Sequence, residues 1–85
     1  MNTAFFEQLL KVRPKIKGDC LRVVLYLITD PGASVSEIAN GTGISKSHVS
    51  ENCSYLYQLG ILKKYEYTNT KLRRVKYFVN YNFKV

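Results

Sequence analysis

Apolar residues recur at helical spacing through the first 59 positions, and after Gly60 the period changes to an alternating one, so the chain reads as helices followed by a β-hairpin. Phe5, Phe6, Leu9, Leu10 and Val12 make the first helical stripe, which Asn2 or Thr3 is placed to cap. Arg13-Pro14 should end it, because the residue before a proline is pushed out of the helical region. A second helix starts between Lys15 and Asp19 and runs to about Thr29. It is apolar nearly all round (Cys20, Leu21, Val23, Val24, Leu25, Tyr26, Leu27, Ile28), and such a helix has to be covered on both sides. Asp30-Pro31-Gly32 is a turn signal. Ser34-Val35-Ser36-Glu37 then spells a capping box, which opens a short third helix through about Asn40. Gly41-Thr42-Gly43 breaks that helix. Ser45 is placed to cap a fourth, from Lys46 to about Leu59, which Gly60 stops. Two strands, about Leu62–Thr68 and Leu72–Asn80, flank a hairpin tip at Asn69-Thr70. The 85 residues suit one small domain, without internal repeats, low-complexity tracts or a linker.

The segment from Glu37 to Ser50 has a mechanical meaning. Two short helices crossing steeply need a small residue where their backbones approach, and Ala39 is expected there. The turn between them needs a left-handed position, which Gly43 supplies. Ile38, Ile44, Val49, Cys53 and Leu56 should then form one apolar wedge, the last three sharing a face of the fourth helix at i, i+4 and i+7. The opposite face carries Ser47, Ser50, Glu51, Ser54 and Gln58, with Lys46 and His48 at the first turn. Short polar side chains let a helix approach base edges in a major groove, and a helix start favours phosphate. The bland reading of the same face is ordinary solvation.

Charge sharpens the picture. The formal net charge is +7, but the first 60 residues carry six basic and five acidic side chains. From Ile61 onward there are seven basic residues (Lys63, Lys64, Lys71, Arg73, Arg74, Lys76, Lys84) and one acidic, Glu66. Positive charge gathered on one segment attracts polyanions through steering and counterion release. In the second strand Val75, Tyr77 and Val79 alternate with Arg74, Lys76 and Phe78, giving one face to the core and a largely basic face to solvent. Lys71 and Arg73 fall toward the tip, where a phosphate or minor-groove contact would be made. Protection of an exposed strand edge by lysines is the competing explanation. Tyr65 and Tyr67 read as packing residues rather than base-stacking ones.

With these residues in view, the chain resembles the winged helix-turn-helix regulators of the MarR and ArsR types. The resemblance rests on Ser36-Glu37-Ile38-Ala39, on Gly43-Ile44-Ser45-Lys46-Ser47-His48-Val49-Ser50 and on Leu56-Tyr57-Gln58-Leu59-Gly60-Ile61-Leu62-Lys63-Lys64. It spans about Leu21 to Tyr81. It implies a single α+β, mostly helical domain: a three-helix core with a β-hairpin wing and an extra N-terminal helix. The N-terminal helix would occupy 1–13, the helix-turn-helix 34–59 and the wing 61–80. It also implies double-stranded DNA contacts from the recognition helix through Ser45, Lys46, Ser47, His48, Ser50, Glu51 and Ser54, and from the wing through Lys71, Arg73, Arg74 and Lys76. Glu51 and Asn52 depart from the basic or larger polar pair often found at those positions. Thr42 stands where a bulky apolar residue usually precedes the turn glycine.

The remaining side chains point to no enzyme: the only histidine, His48, has no nucleophile at a recognisable spacing, and no glycine-rich phosphate loop precedes a helix. Cys20 and Cys53 are too few for a disulfide framework and fit buried small hydrophobes better than metal ligands. No cofactor, metal or membrane partner is expected, no secretory leader is recognisable, and a reducing cytoplasmic setting follows. The greasy first helix, the second helix and the tail Tyr81, Phe83 and Val85 exceed what one small core should consume. That predicts a homodimer through these segments. The leading reading is a transcriptional regulator, most simply a repressor. The alternative is a winged helix serving as an interaction or architectural module without sequence-specific readout.

Overall fold

The computed structural model describes residues 3–12, 16, 18–69 and 72–83. They form helices α1 (Thr3–Val12), α2 (Gly18–Thr29), α3 (Val35–Thr42) and α4 (Lys46–Gln58), then strands β1 (Leu62–Asn69) and β2 (Leu72–Val79). This is the mostly helical α+β architecture that the change of period implies. Asn2, Arg13 and Pro14, expected to cap and stop the first helix, lie outside the described residues, as does Val85.

Local hydrogen bonds explain where the central helices begin. At α3 the capping box is complete: Glu37 N donates to Ser34 Oγ at 3.3 Å, and Ser34 N donates to Glu37 Oε1 at 3.1 Å. At α4, His48 N donates to Ser45 Oγ at 3.3 Å. Each cap satisfies backbone donors that a first helical turn would otherwise leave open.

One core joins all six elements. Phe5, Val23, Val24, Leu27, Ile38, Val49, Cys53, Leu56 and Ile61 are completely buried. Burying a side chain of this kind is worth about 1.5–3 kcal/mol relative to leaving it in water. The second helix is less uniformly covered than its composition suggests. Cys20, Val23, Val24 and Leu27 are buried, Leu21, Tyr26 and Ile28 are half-buried, and Leu25 remains 48% exposed.

β1 and β2 pair antiparallel, from Leu62 opposite Val79 to Asn69 opposite Leu72. The connection is therefore residues 70–71, one position later than the tip expected at Asn69-Thr70; both connecting residues lie outside the described set. The turn before α3 is stitched to the hairpin, with Gly32 N donating to Tyr77 O at 2.9 Å and Tyr77 N to Ala33 O at 3.1 Å. At the base, Asn80 N donates to Ile61 O at 2.9 Å and Asn80 Nδ2 to Gly60 O at 2.8 Å, so the wing is anchored to the end of α4. The tail then folds back on its own core. Phe83 is buried, and the Tyr81 ring meets Phe5 edge-on at 5.3 Å. Much of the apolar surplus assigned above to a partner is thus absorbed by the chain itself.

Cys20 and Cys53 are buried free thiols. Burial, with a smaller contribution from Cys20, pushes the Cys53 thiol from its ordinary 9.0 up to about 12. A thiol made a weaker acid by folding favours the protonated, folded form. That stabilisation is complete below pH 9 and is lost as pH climbs toward 12. Ellman's reagent at pH 8 should leave both thiols unmodified in the native protein and titrate both after denaturation. Rapid native labelling of Cys53 would contradict this packing.

Candidate nucleic-acid interface

The orientation of α4 follows from the turn before it. Gly43 adopts φ 77° and its N–H donates to Ala39 O at 2.9 Å, closing α3 with a left-handed residue. Thr42, which departs from the apolar residue usual there, has a specific task. Its hydroxyl donates to Ile38 O at 2.7 Å and accepts from Ile44 N at 3.3 Å, tying the last turn of α3 to the segment entering α4. The Arg22 guanidinium on α2 donates to Thr42 O, placing a cation where the α3 carbonyls point outward. α3 therefore continues to Thr42 rather than ending near Asn40. A separate close approach, between α2 and α3, lies at Gly41, where an added Cβ would run into the Tyr26 ring.

Val49, Cys53 and Leu56 on α4 are completely buried, and Ile44 is nearly so. Since they occupy one side of the helix, the other is forced outward: Lys46, Ser47, His48, Ser50, Glu51, Ser54 and Gln58 are all exposed. Ser45 is exposed too, although its hydroxyl is engaged as the cap, with Ser47 Oγ 3.4 Å away. Cys53 points inward and His48 outward. Among the described residues no group of three His, Cys, Asp or Glu side chains is placed to hold a metal ion. No helix among them is long and apolar enough to cross a membrane.

The sequence pairs Glu51 with Asn52, but the fold separates them. Glu51 is exposed, while Asn52 is only 9% exposed and its Nδ2 has no hydrogen-bond partner among the described residues. An unmet buried amide donor costs about 1–3 kcal/mol. Asn52 stands three residues after Val49 and four before Leu56, so the same helical spacing that buries the apolar stripe carries it inward.

The wing has two distinct faces, because residues opposite one another across the ladder share a side. Leu62, Lys64 and Glu66 pair with Val79, Tyr77 and Val75 on the inner side. There Lys64 Nζ sits 4.6 Å from the Tyr57 ring centre on α4 and 3.3 Å from Glu66 Oε1, so this lysine belongs to the wing–helix joint. Burial raises the Tyr77 phenol above its ordinary value. Lys63, Tyr65 and Tyr67 pair with Phe78, Lys76 and Arg74 on the outer side. Arg74 and Lys76 are exposed as expected; Lys71 and the Arg73 side chain lie outside the described residues. Tyr65 lies beside Tyr67, with ring centres 6.0 Å apart. With β1 at the outer surface, the Tyr65 ring is 61% exposed, while Tyr67 is half-buried.

These features define the class: a winged helix-turn-helix, with α3 and α4 as the two helices of the motif and β1–β2 as the wing. A solved structure of the same fold is the PcaV transcriptional regulator from Streptomyces coelicolor in complex with its natural ligand. It superposes with a TM-score of 0.68 at 22% identity, over 76% of this chain and 45% of that one. The chain thus matches less than half the length of that regulator. No protein-family model and no curated protein matches the sequence.

Two substitutions test the origin of the motif's geometry. Thr42→Val keeps shape but removes both hydroxyl hydrogen bonds, and should cost about 1–2 kcal/mol in denaturant unfolding. Asn52→Leu replaces the unpartnered amide by an apolar group of similar size and should cost nothing or raise stability. A neutral Thr42→Val or a strongly destabilising Asn52→Leu would show that the described hydrogen bonding is wrong.

Proposed function

We propose that the protein is a double-stranded DNA-binding transcriptional regulator, most simply a repressor that occludes a promoter. The observation that carries this reading is the exposed small polar face of α4, made by Ser47, His48, Ser50, Glu51 and Ser54, beside a wing whose exposed cations include Arg74 and Lys76. α4 would enter the major groove by its N-terminal half. Ser47, His48, Ser50 and Ser54 would reach base edges, and Glu51 would accept from a cytosine amino group. Ser45 and Lys46 would sit against the backbone at the helix start, where the dipole favours phosphate. Arg74 and Lys76, with Lys71 and Arg73 toward the tip, would hold the flanking backbone or minor groove. The fold shared with a transcriptional regulator supports this reading. The free cysteines fit a reducing cytoplasm.

The same reading includes a homodimer on paired half-sites. With Phe83 absorbed into the core, uncovered aliphatic surface remains between α1 and α2. Leu10 is 62% and Leu25 48% exposed there, and with Phe6, Leu9 and Leu21 they line a groove of about 170 Å³. A second copy would cover it. Sedimentation should show a dimer at micromolar concentration that Leu10→Glu/Leu25→Glu dissociates; a monomeric parent protein would overturn the pairing.

Selection of bound duplexes from a random pool, followed by salt titration, tests the readout itself. An enriched motif is expected. Arg74→Ala should weaken all duplexes alike and reduce the salt slope by about one unit. Ser50→Ala should change sequence preference instead. No binding at low salt would favour an interaction module, and salt-sensitive binding without a motif an architectural one.

A further inference from the structure

The outer face of the wing has a composition that duplex contacts do not explain. All three described cross-strand pairs on it place an aromatic ring opposite a cation: Lys63 with Phe78, Tyr65 with Lys76 and Tyr67 with Arg74. The one acidic residue of the wing, Glu66, lies on the other face in contact with Lys64. Sheet faces turned to water are ordinarily polar, yet here Tyr65 is 61% and Phe78 36% exposed. The Tyr65 and Tyr67 rings sit 6.0 Å apart at 39°, and Lys76 Nζ lies 5.7 Å from the Tyr67 ring centre. Beside them a recess of about 330 Å³ opens between this face and the start of α3. Tyr67, Arg74 and Lys76 form one wall, and Ser36 and Glu37 are on the other.

We propose that this face is a binding platform for single-stranded nucleic acid. Its cations would track the phosphates, Tyr65 and Tyr67 would stack against unpaired bases, and the recess would receive a flanking nucleotide. The choice of a single strand follows from the rings. In a duplex both faces of each base are covered by neighbours, so an exposed tyrosine gains little there, whereas an unstacked base offers its face to any aromatic surface. Cations serve either ligand; rings distinguish them. A purely structural role in pairing the two strands would need the rings to pack across the ladder, but would not need Tyr65 turned to water. The platform does not depend on α4 reading bases; it shares Arg74 and Lys76 with the duplex reading, but Tyr65 belongs to it alone, so substitution of Tyr65 separates the two.

Fluorescence anisotropy at low salt with labelled dT20, rU20, an abasic strand of the same length and a mixed-sequence duplex tests this directly. Wild-type protein should bind dT20, rU20 or both, and bind the abasic strand about a hundredfold more weakly, as the loss of two stacked bases implies. Tyr65→Ala should weaken binding to the base-bearing strand about tenfold while leaving duplex affinity within twofold, and Tyr65→Phe should restore it. An unchanged thermal melt for Tyr65→Ala shows that folding is intact; a lowered melt moves the comparison to Tyr65→Leu, which keeps apolar bulk without a ring. Preference between dT20 and rU20 separates a DNA ligand from an RNA one. Equal binding of abasic and base-bearing strands would overturn the proposal, leaving charge alone. So would loss of duplex and single-strand binding together in Tyr65→Ala, or no single-strand binding by the wild type.

Discussion

The rotation of α4 about its own axis is the constraint on which the rest depends. Val49, Cys53 and Leu56 are buried without residue, and together they form the only continuous apolar stripe the helix has. Turning α4 by even a third of a revolution would drown that stripe and carry serines into the core, at a cost of several kcal/mol. Ser45 fixes where the helix starts, and Thr42 with Gly43 fixes the direction from which it arrives. The exposed serine face is thus the complement of a packing requirement rather than an independent feature.

Electrostatics divides along the same lines. The inner face of the wing uses its charge internally: Lys64 joins Glu66 and the Tyr57 ring, fixing the hairpin against α4. The outer face leaves Lys63, Arg74 and Lys76 in solvent, with no acidic residue of the hairpin on that side. A cation's place in the pleat therefore decides whether it serves the fold or faces a ligand, although all of them add equally to net charge. Exposed cations act through field and counterion release, and their effect falls as salt rises.

Much of the architecture was legible in the sequence because caps and periods are local. The Ser34–Glu37 box, the Ser45 cap, the Gly43 turn and the alternation in β2 each state their geometry within a few residues. What the sequence concealed depends on contacts between distant segments. Gly41 has no room for a side chain because the Tyr26 ring arrives from α2. Tyr65 is outward because the ladder register places it opposite Lys76. Phe83 returns to the core through the Asn80 anchor, which no periodic pattern announces. Among the site residues, the exposure of Ser47, Ser50, Glu51 and Ser54 follows directly from the wedge on the opposite side.

Titration of isotopically labelled protein with a short duplex, followed by amide chemical shifts, measures directly which surface meets DNA. Shifts confined to residues 45–54 on α4 and to the wing around Arg74 and Lys76, with the buried amides of α2 unmoved, are the expected pattern. Shifts centred on α1 and α2, with α4 silent, would contradict the assignment of α4 as the helix that reads DNA.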